Sequence, residues 1–231
     1  MGAEGPSTRT DGQPDSERTT VKRRPQRGVY NRATLEAILD EALICHVGFV
    51  IAGQPYVLPT IHARRGDQLL LHGAAANRML TAASDGIPLC VTVTLLDGLV
   101  LARSAFHHSM NYRSAVILGI AQEIADHAAK LAAMRALVEH VAPGRWADTR
   151  HPSAEELRVT RILALPIDEA SAKVRVGPPV DDEDDYALSM WAGVIPLGLA
   201  VGLPVADPRL RPGTTVPDYA VHYRRQRRLH D

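Results

Sequence analysis

Residues able to do chemistry crowd into one short stretch of this chain. In "LLLHGAAANRML", residues 69–80, three leucines run into His72-Gly73, three alanines follow, and Asn77-Arg78 precede a new apolar pair. A strand that ends in residues with almost no side chain lets a ligand approach the backbone. A helix beginning near Asn77 then directs free N–H groups and its positive dipole end at that ligand, and Arg78 adds a cation with a planar fork. Those are the parts of a phosphate seat, with His72 the nearest candidate for an acid or base. The same residues also make a tight turn capped by Asn77 with Arg78 in solvent, and the stretch alone favours that simpler use. Neither GxxxxGK[ST] nor GxGxxG occurs, so nucleoside triphosphates and Rossmann dinucleotides lose their usual support.

Other reactive clusters are weaker. The acidic run Asp181 to Asp185 lacks the alternating ligands and glycine turn of a calcium loop, so a solvated linker is expected and no metal site. His107-His108 is a pair without further ligands at fixed spacing, which favours solvent exposure over a metal or heme. Cys45 and Cys90 sit in apolar runs without a CxxC spacing, as buried free thiols of a reducing compartment do, and a cytoplasmic protein is expected. "KRRPQR" near the start could meet an acidic partner, although a solvated leader is the simpler reading. The closing "HYRRQRRLHD", with Tyr219 and Tyr223 nearby, is a short cationic tail and weak support for a nucleic-acid site.

The elements that must position these residues follow from composition and periodicity. With 231 residues, 45% hydrophobic and 23% charged, the chain can bury a core, and its zero formal charge gives no global basic surface for nucleic acid. The longest greasy run, "AGVIPLGLAVGL", is short and carries Pro196, which supports neither a signal peptide nor a membrane span. Residues 1–27 are poor in large apolar side chains and read as a disordered tail; 28–205 form the folded domain; 206–231 form a Pro- and Arg-rich tail. "NRATLEAILDEA" offers Asn31 or Thr34 as cap and places Leu35, Ile38, Leu39 and Ala42 on one helical face. Turn chemistry at Gly53-Gln54 and at Arg65-Gly66-Asp67 divides the next apolar runs into three antiparallel strands. "NRMLTAASDG" is a short helix closed by Gly86, "IPLCVTVTLLDGLVLAR" is a strand continuing past Asp97-Gly98, and "YRSAVILGIAQEI" is another, with Gly119 a bulge or close approach. "DHAAKLAAMRALVEHV" is helical from its Asp126 cap to Pro143-Gly144, and "LRVTRILALPIDEASAKVRVG" returns to a strand ending at Pro166. Strands joined by hairpin-length turns favour an antiparallel barrel with peripheral helices.

Taken in order, "GQPYVLPTIHARRGDQLLLHGAAANRM", "SMNYRSAVILGIAQEIAD" and "MWAGVIPL" resemble the pyridoxamine 5'-phosphate oxidase-like, FMN-binding split-barrel superfamily. Within it the similarity is to the flavin-nucleotide-binding branch that includes nitroimidazole-resistance (Nim) proteins, and it spans roughly Gly28 to Pro204. The resemblance implies an α+β, mainly β fold: a six-stranded antiparallel split β-barrel with peripheral helices, forming a homodimer with cofactor sites in the interface. It implies FMN and two-electron flavin chemistry on a small organic substrate. Val57, Leu58, Pro59 and Thr60 match the segment lining the flavin ring. Leu71 and His72, with Asn77 and Arg78, match the strand and basic pair that hold the ribityl phosphate. Arg113 and Ser114 match a strand start that touches FMN, and Trp191 matches a tryptophan brought by the partner subunit.

Departures narrow the activity. Pyridoxamine phosphate oxidases carry a doubly basic phosphate pair and an arginine-rich segment after the tryptophan, whereas here the pair is Asn77-Arg78 and "WAGVIPLG" lacks arginine. The final "RRLHD" lies far from Trp191, so vitamin B6 oxidation is not expected. Heme or deazaflavin in the same barrel, or a non-catalytic flavin carrier or sensor, remain the alternatives; heme would call on His107 or His108 as axial ligand. No nucleic-acid or membrane partner is expected.

Overall fold

Two hairpins set the register of the sheet, in a computed structural model that describes residues 12–225. Ala52 (φ 49°) and Gly53 (φ 78°) form a two-residue turn between β2 (Ile44–Ile51) and β3 (Gln54–Arg65). Positive φ at both positions matches the right-handed twist of the flanking strands, and the turn sits one residue earlier than the Gly53-Gln54 expected. Gly66 (φ 57°) and Asp67 turn β3 into β4 (Gln68–Ala74). β5 (Leu89–Leu101) then pairs with β2 and with β6 (Ser109–Gly119), and β6 pairs with β9 (Glu169–Arg175), which carries the short β1 (Gly28–Val29). On the other flank β4 pairs with β8 (Thr160–Pro166), and β8 carries the short β7 (Gln122–Glu123); β10 (Gly193–Pro196) adds to β5. All pairings are antiparallel in the order β1-β9-β6-β5-β2-β3-β4-β8-β7, and the two ends do not join.

This is the split-barrel, mainly β architecture expected, with more strands than the six anticipated. β9 escapes the sequence because only Ala170 and Ala172 mark its inner face, and small residues give a weak period-2 signal. Asp97-Gly98 bends one long strand: the β5–β6 register shifts between Leu96 and Gly98. A side chain at Gly98 would meet Val194 Cγ1 at 3.0 Å and the Ile195 carbonyl at 3.1 Å, so the missing Cβ is what admits β10. Gly119 is the close approach expected, its Cβ position 3.1 Å from Leu165 Cδ1.

Inside the curved sheet, α1 (Arg32–Glu41) buries Leu35, Ile38 and Leu39 against Val47, Phe49, Leu69, Leu71, Val91 and Ile117. Asn31, of the two caps considered, accepts from the Thr34 N–H at 2.8 Å. A second, smaller core lies where α3 (His127–Val141) sets Ala133 and Leu137 on Leu70 and Ile162. The short helices α2 (Arg78–Ser84), α4 (Ala154–Val159) and α5 (Asp218–Val221) lie at the edges.

The N-terminal tail departs from expectation where it is described, and the C-terminal tail is anchored at Arg225. Residues 12–27 lie against β9: Asp15 accepts from the Ala170 N–H at 3.1 Å, Ser16 and Arg18 bond Glu169, and the Tyr30 hydroxyl accepts from Val21 N–H at 2.8 Å. Sequence composition misjudged this segment because polar groups of β9's outer side, rather than an apolar core, hold it. At the other end the Arg225 guanidinium donates to the carbonyls of Asp40 (3.0 Å), Glu41 (2.9 Å), Ala42 (3.1 Å) and His140. Carbonyls at a helix end lack intrahelical partners, so Arg225 completes the end of α1. Residues 1–11 and the "RRLHD" at 227–231 lie outside the described residues.

Candidate functional site

Strand pleating divides the segment Val57–Thr60 between two faces. The register places Tyr56, Leu58 and Thr60 opposite Phe49, Val47 and Cys45, three buried residues of the main core; Val57, Pro59 and Ile61 stand opposite Gly48, His46 and Ile44 on the outer face. That outer face is apolar and exposed at Ile44, Val57, Pro59, Ile61 and Leu96. Next to it opens a cleft of about 780 Å³ lined by Pro59, Ile44, His46, Thr94, Leu96 and the 197–199 segment, with Glu41 and Arg225 at one end. The volume suits a planar polycyclic ligand. Of the residues matched to the flavin site, only Pro59 lines this cleft. His46, Thr94 and Leu96 escaped the sequence, which gives no sign that β5 and β2 lie side by side.

The small-residue stretch resolves differently from a simple phosphate loop. Gly73 is needed because a Cβ there would lie 3.0 Å from Leu80 Cδ1, so the alanines and glycine bring α2 down onto β4. Asn77 caps α2 by accepting from the Leu80 N–H at 3.2 Å, and α2 is seven residues long, which leaves it a small dipole. Arg78 is exposed and stacks on the Tyr56 ring with its guanidinium carbon 4.4 Å from the centroid. Leu71 is fully buried in the core. His72 is half-buried beside it in sequence, with Nδ1 buried and without a hydrogen-bond partner, and burial pulls its pKa below the usual histidine value.

Arg113 points into a polar knot. Its Nε and Nη2 donate to Asp97 at 2.9 and 2.8 Å, and its Nη1 and Nη2 donate to Glu41 at 2.5 and 2.8 Å. The three side chains are 9–11% exposed, and the hydrogen bonds to Asp97 and Glu41 hold the guanidinium charged well above its ordinary range. With its fork engaged this way, Arg113 ties α1 to β5 and β6. Ser114 donates to the Lys173 carbonyl at 3.2 Å. Trp191 is 67% exposed, its ring folded over Gly193, where a Cβ would fall 2.8 Å from Cζ2.

On the far side of β6 lies a polar pocket of about 710 Å³ formed by Arg23, Arg24, Arg27, Lys173 and Arg175, with His107 and His108 on its wall. Asp181 lies at its edge, where it accepts from the backbone N–H groups of Arg103 and Ser104 at 3.0 and 3.3 Å and from Arg103 Nη1 at 3.1 Å. Ligand atoms of His107, Asp181 and Asp185 come within 4.8 Å of one another, which the acidic run alone did not suggest. Asp181 is nevertheless committed to Arg103. His108 Nδ1 faces the Ser104 carbonyl at 3.0 Å.

An open antiparallel barrel with an apolar outer cleft defines a split-barrel ligand-binding protein. A family model for pyridoxamine 5'-phosphate oxidase matches residues 31–174, and the chain belongs to that pyridoxamine 5'-phosphate oxidase-like family. Among solved structures it is similar to the flavocytochrome Anf3 from Azotobacter vinelandii, at 43% identity and TM-score 0.87 over 92% of this chain and 99% of that one. It is also similar to the FAD and heme binding protein from Mycobacterium smegmatis, at 38% identity and TM-score 0.81 over 84% and 95%. A protein described as a 5-nitroimidazole antibiotic resistance protein, from Bacteroides thetaiotaomicron, shares 26% identity and TM-score 0.53 over 64% and 86%. No curated protein matches. Among the described residues no helix is long and apolar enough to cross a membrane.

Proposed function

We propose that this chain is a flavin-binding redox protein that works as a homodimer, with the flavin ring seated on the outer face of β2, β3 and β5. The observation that carries the reading is the apolar cleft beside Pro59 and Leu96, in a chain 43% identical to a flavocytochrome. An isoalloxazine needs an apolar slot with a few polar contacts, and Thr94 and the backbone of β3 supply them at this cleft. Arg78, exposed and fixed over Tyr56, is the cation for the flavin phosphate, with Asn77 beside it. A second copy covers the exposed strand face and the extended segment in which Leu203 and Val205 are more than nine-tenths exposed; the partner subunit's Trp191 closes the flavin edge. When bound, the flavin supplies the hydride chemistry on a small organic substrate, and the chain supplies binding, orientation and exclusion of water. Arg78→Ala tests the phosphate assignment: FMN retention through gel filtration falls at least tenfold, and unchanged retention overturns it.

One observation favours a second reading, a heme in this cleft; the two neighbours named first above are described as a flavocytochrome and as an FAD and heme binding protein. His46 is exposed on an apolar face and its side chain makes no hydrogen bond to protein among the described residues, so a ring nitrogen would be available to ligate the iron. The donor chemistry therefore fits a heme at His46 better than at His107 or His108, whose surroundings are polar and ionic.

A further inference from the structure

The arginines of "KRRPQR", with Arg23 and Arg24 exposed, sit on a segment held against the barrel. The segment is fastened: Val21 N–H is held by the Tyr30 hydroxyl, and a Cβ at Gly28 would lie 2.9 Å from that oxygen and 3.1 Å from the Pro25 carbonyl. Arg24 adopts a left-handed conformation (φ 56°), which a non-glycine residue holds only where its surroundings impose it. The turn thereby delivers Arg23, Arg24 and Arg27 to the pocket where β9 contributes Lys173 and Arg175.

None of these five cations is in an ion pair among the described residues. Arg175 is 8% exposed, and its partners are neutral: the Asn111 side-chain oxygen and the carbonyls of Gly177 (3.2 Å) and Pro178 (3.1 Å). Burial, with Arg27 next, pulls its pKa below the ordinary arginine value, so the site carries a repulsion that an anion would relieve. Of the nearby carboxylates, Asp181 serves Arg103 and Asp182 is exposed on the rim. The pocket also adjoins the apolar cleft: Leu96, in the cleft, pairs directly with Tyr112, in the pocket, and Tyr112 pairs with Arg175. From β5 to β9 the distance is two strand spacings, about 10 Å.

We propose that this pocket binds the diphosphate of a nucleotide whose remaining part reaches toward the cleft. Five cations around about 710 Å³ exceed what a single phosphate requires and match a diphosphate, which arginine forks bind in pairs. The nucleotide is a separate one, since the flavin phosphate is given to Arg78 above, and its role as electron partner of the flavin rests on that flavin reading.

Titration calorimetry on the full chain decides it, with inorganic pyrophosphate, ADP, FAD and FMN as probes and the double variant Arg23→Ala/Arg27→Ala compared with the parent. Both residues lie on a surface turn outside the core, and Lys173→Ala serves as an independent second variant. The expectation is that pyrophosphate or ADP binds the parent and is weakened at least tenfold in both variants, while FMN is unaffected. A tenfold loss for FAD together with exclusion of ADP from the FAD-loaded protein overturns the proposal, because the pocket then holds the flavin's own diphosphate. Stoichiometric ADP binding to flavin-loaded protein, lost in the variants, assigns it to a separate nucleotide. If pyrophosphate, ADP and FAD all bind the variants as they bind the parent, or none binds the parent, the proposal is overturned. FMN binding in the same series reports on the flavin reading separately.

Discussion

His46 stands directly opposite Pro59 in the β2–β3 ladder and opposite Thr92 in the β2–β5 ladder, so an imidazole occupies the middle of an otherwise apolar outer face. Such a residue contributes little to folding, since its side chain is exposed and packs into no core cluster. His46→Ala should therefore leave the thermal midpoint within about 2 °C. On the heme reading it should abolish the Soret band of heme-reconstituted protein. A retained, unshifted Soret band would show that another residue ligates the iron.

Arg113 is a different kind of residue despite being matched to the same site. Removing it leaves Glu41 and Asp97 together in a setting only about a tenth exposed. Breaking such a buried network costs about 3–5 kcal/mol, so Arg113→Ala should lower the urea midpoint sharply. Arg113→Lys should recover only part of it, because an ammonium cannot reproduce two forks at once. Equal midpoints for all three proteins would show that the knot does not hold the barrel together.

At Gly98 the backbone of β10 crowds the strand. Gly98→Ala should cost about 1–3 kcal/mol and detach β10 from β5, because the Ile195 carbonyl cannot yield as a side chain can. Amide exchange of 193–196 reads that detachment, and protection equal to the parent's would contradict it.

Acid sensitivity follows from His62, which is fully buried with Nε2 3.0 Å from the Leu39 carbonyl and its ring 5.1 Å from that of His140. Burial, followed by His140, pushes its pKa down to about 4, below the unfolded value of 6.5. Between those values the unfolded chain binds more protons, so stability is fully present above pH 6.5 and is lost as pH falls toward 4. The loss amounts to about 3 kcal/mol for His62, and His140, also lowered by burial, acts in the same direction. Denaturant melts at intervals from pH 7 to 4 should show this slope, and His62→Gln should flatten it.

Much of the barrel was legible because its signals are local. The apolar run of "LLLHG", the Asn31, Asn77 and Asp126 caps and the glycine turns each depend on a few neighbouring residues. The site was less legible because it is assembled across strands: His46, Thr94 and Leu96 face one cleft only through the β2–β5 register. That the Arg113 fork engages Glu41 and Asp97 is likewise a contact across elements that the sequence does not display. The 12–27 segment shows the limit of composition, because Glu169 and the Ala170 N–H hold it through polar contacts that no hydrophobicity pattern records.

The central claim is that the outer cleft holds a flavin, and an absorption spectrum tests it most directly. The full chain, incubated with FMN or FAD and passed through gel filtration, should keep a band near ~450 nm at one flavin per protomer, since the cofactor brings its own chromophore. Leu96→Glu, which sets a charge in the cleft, should lose that band while the protein still elutes folded. A parent protein that emerges colourless after incubation with either flavin would contradict the account.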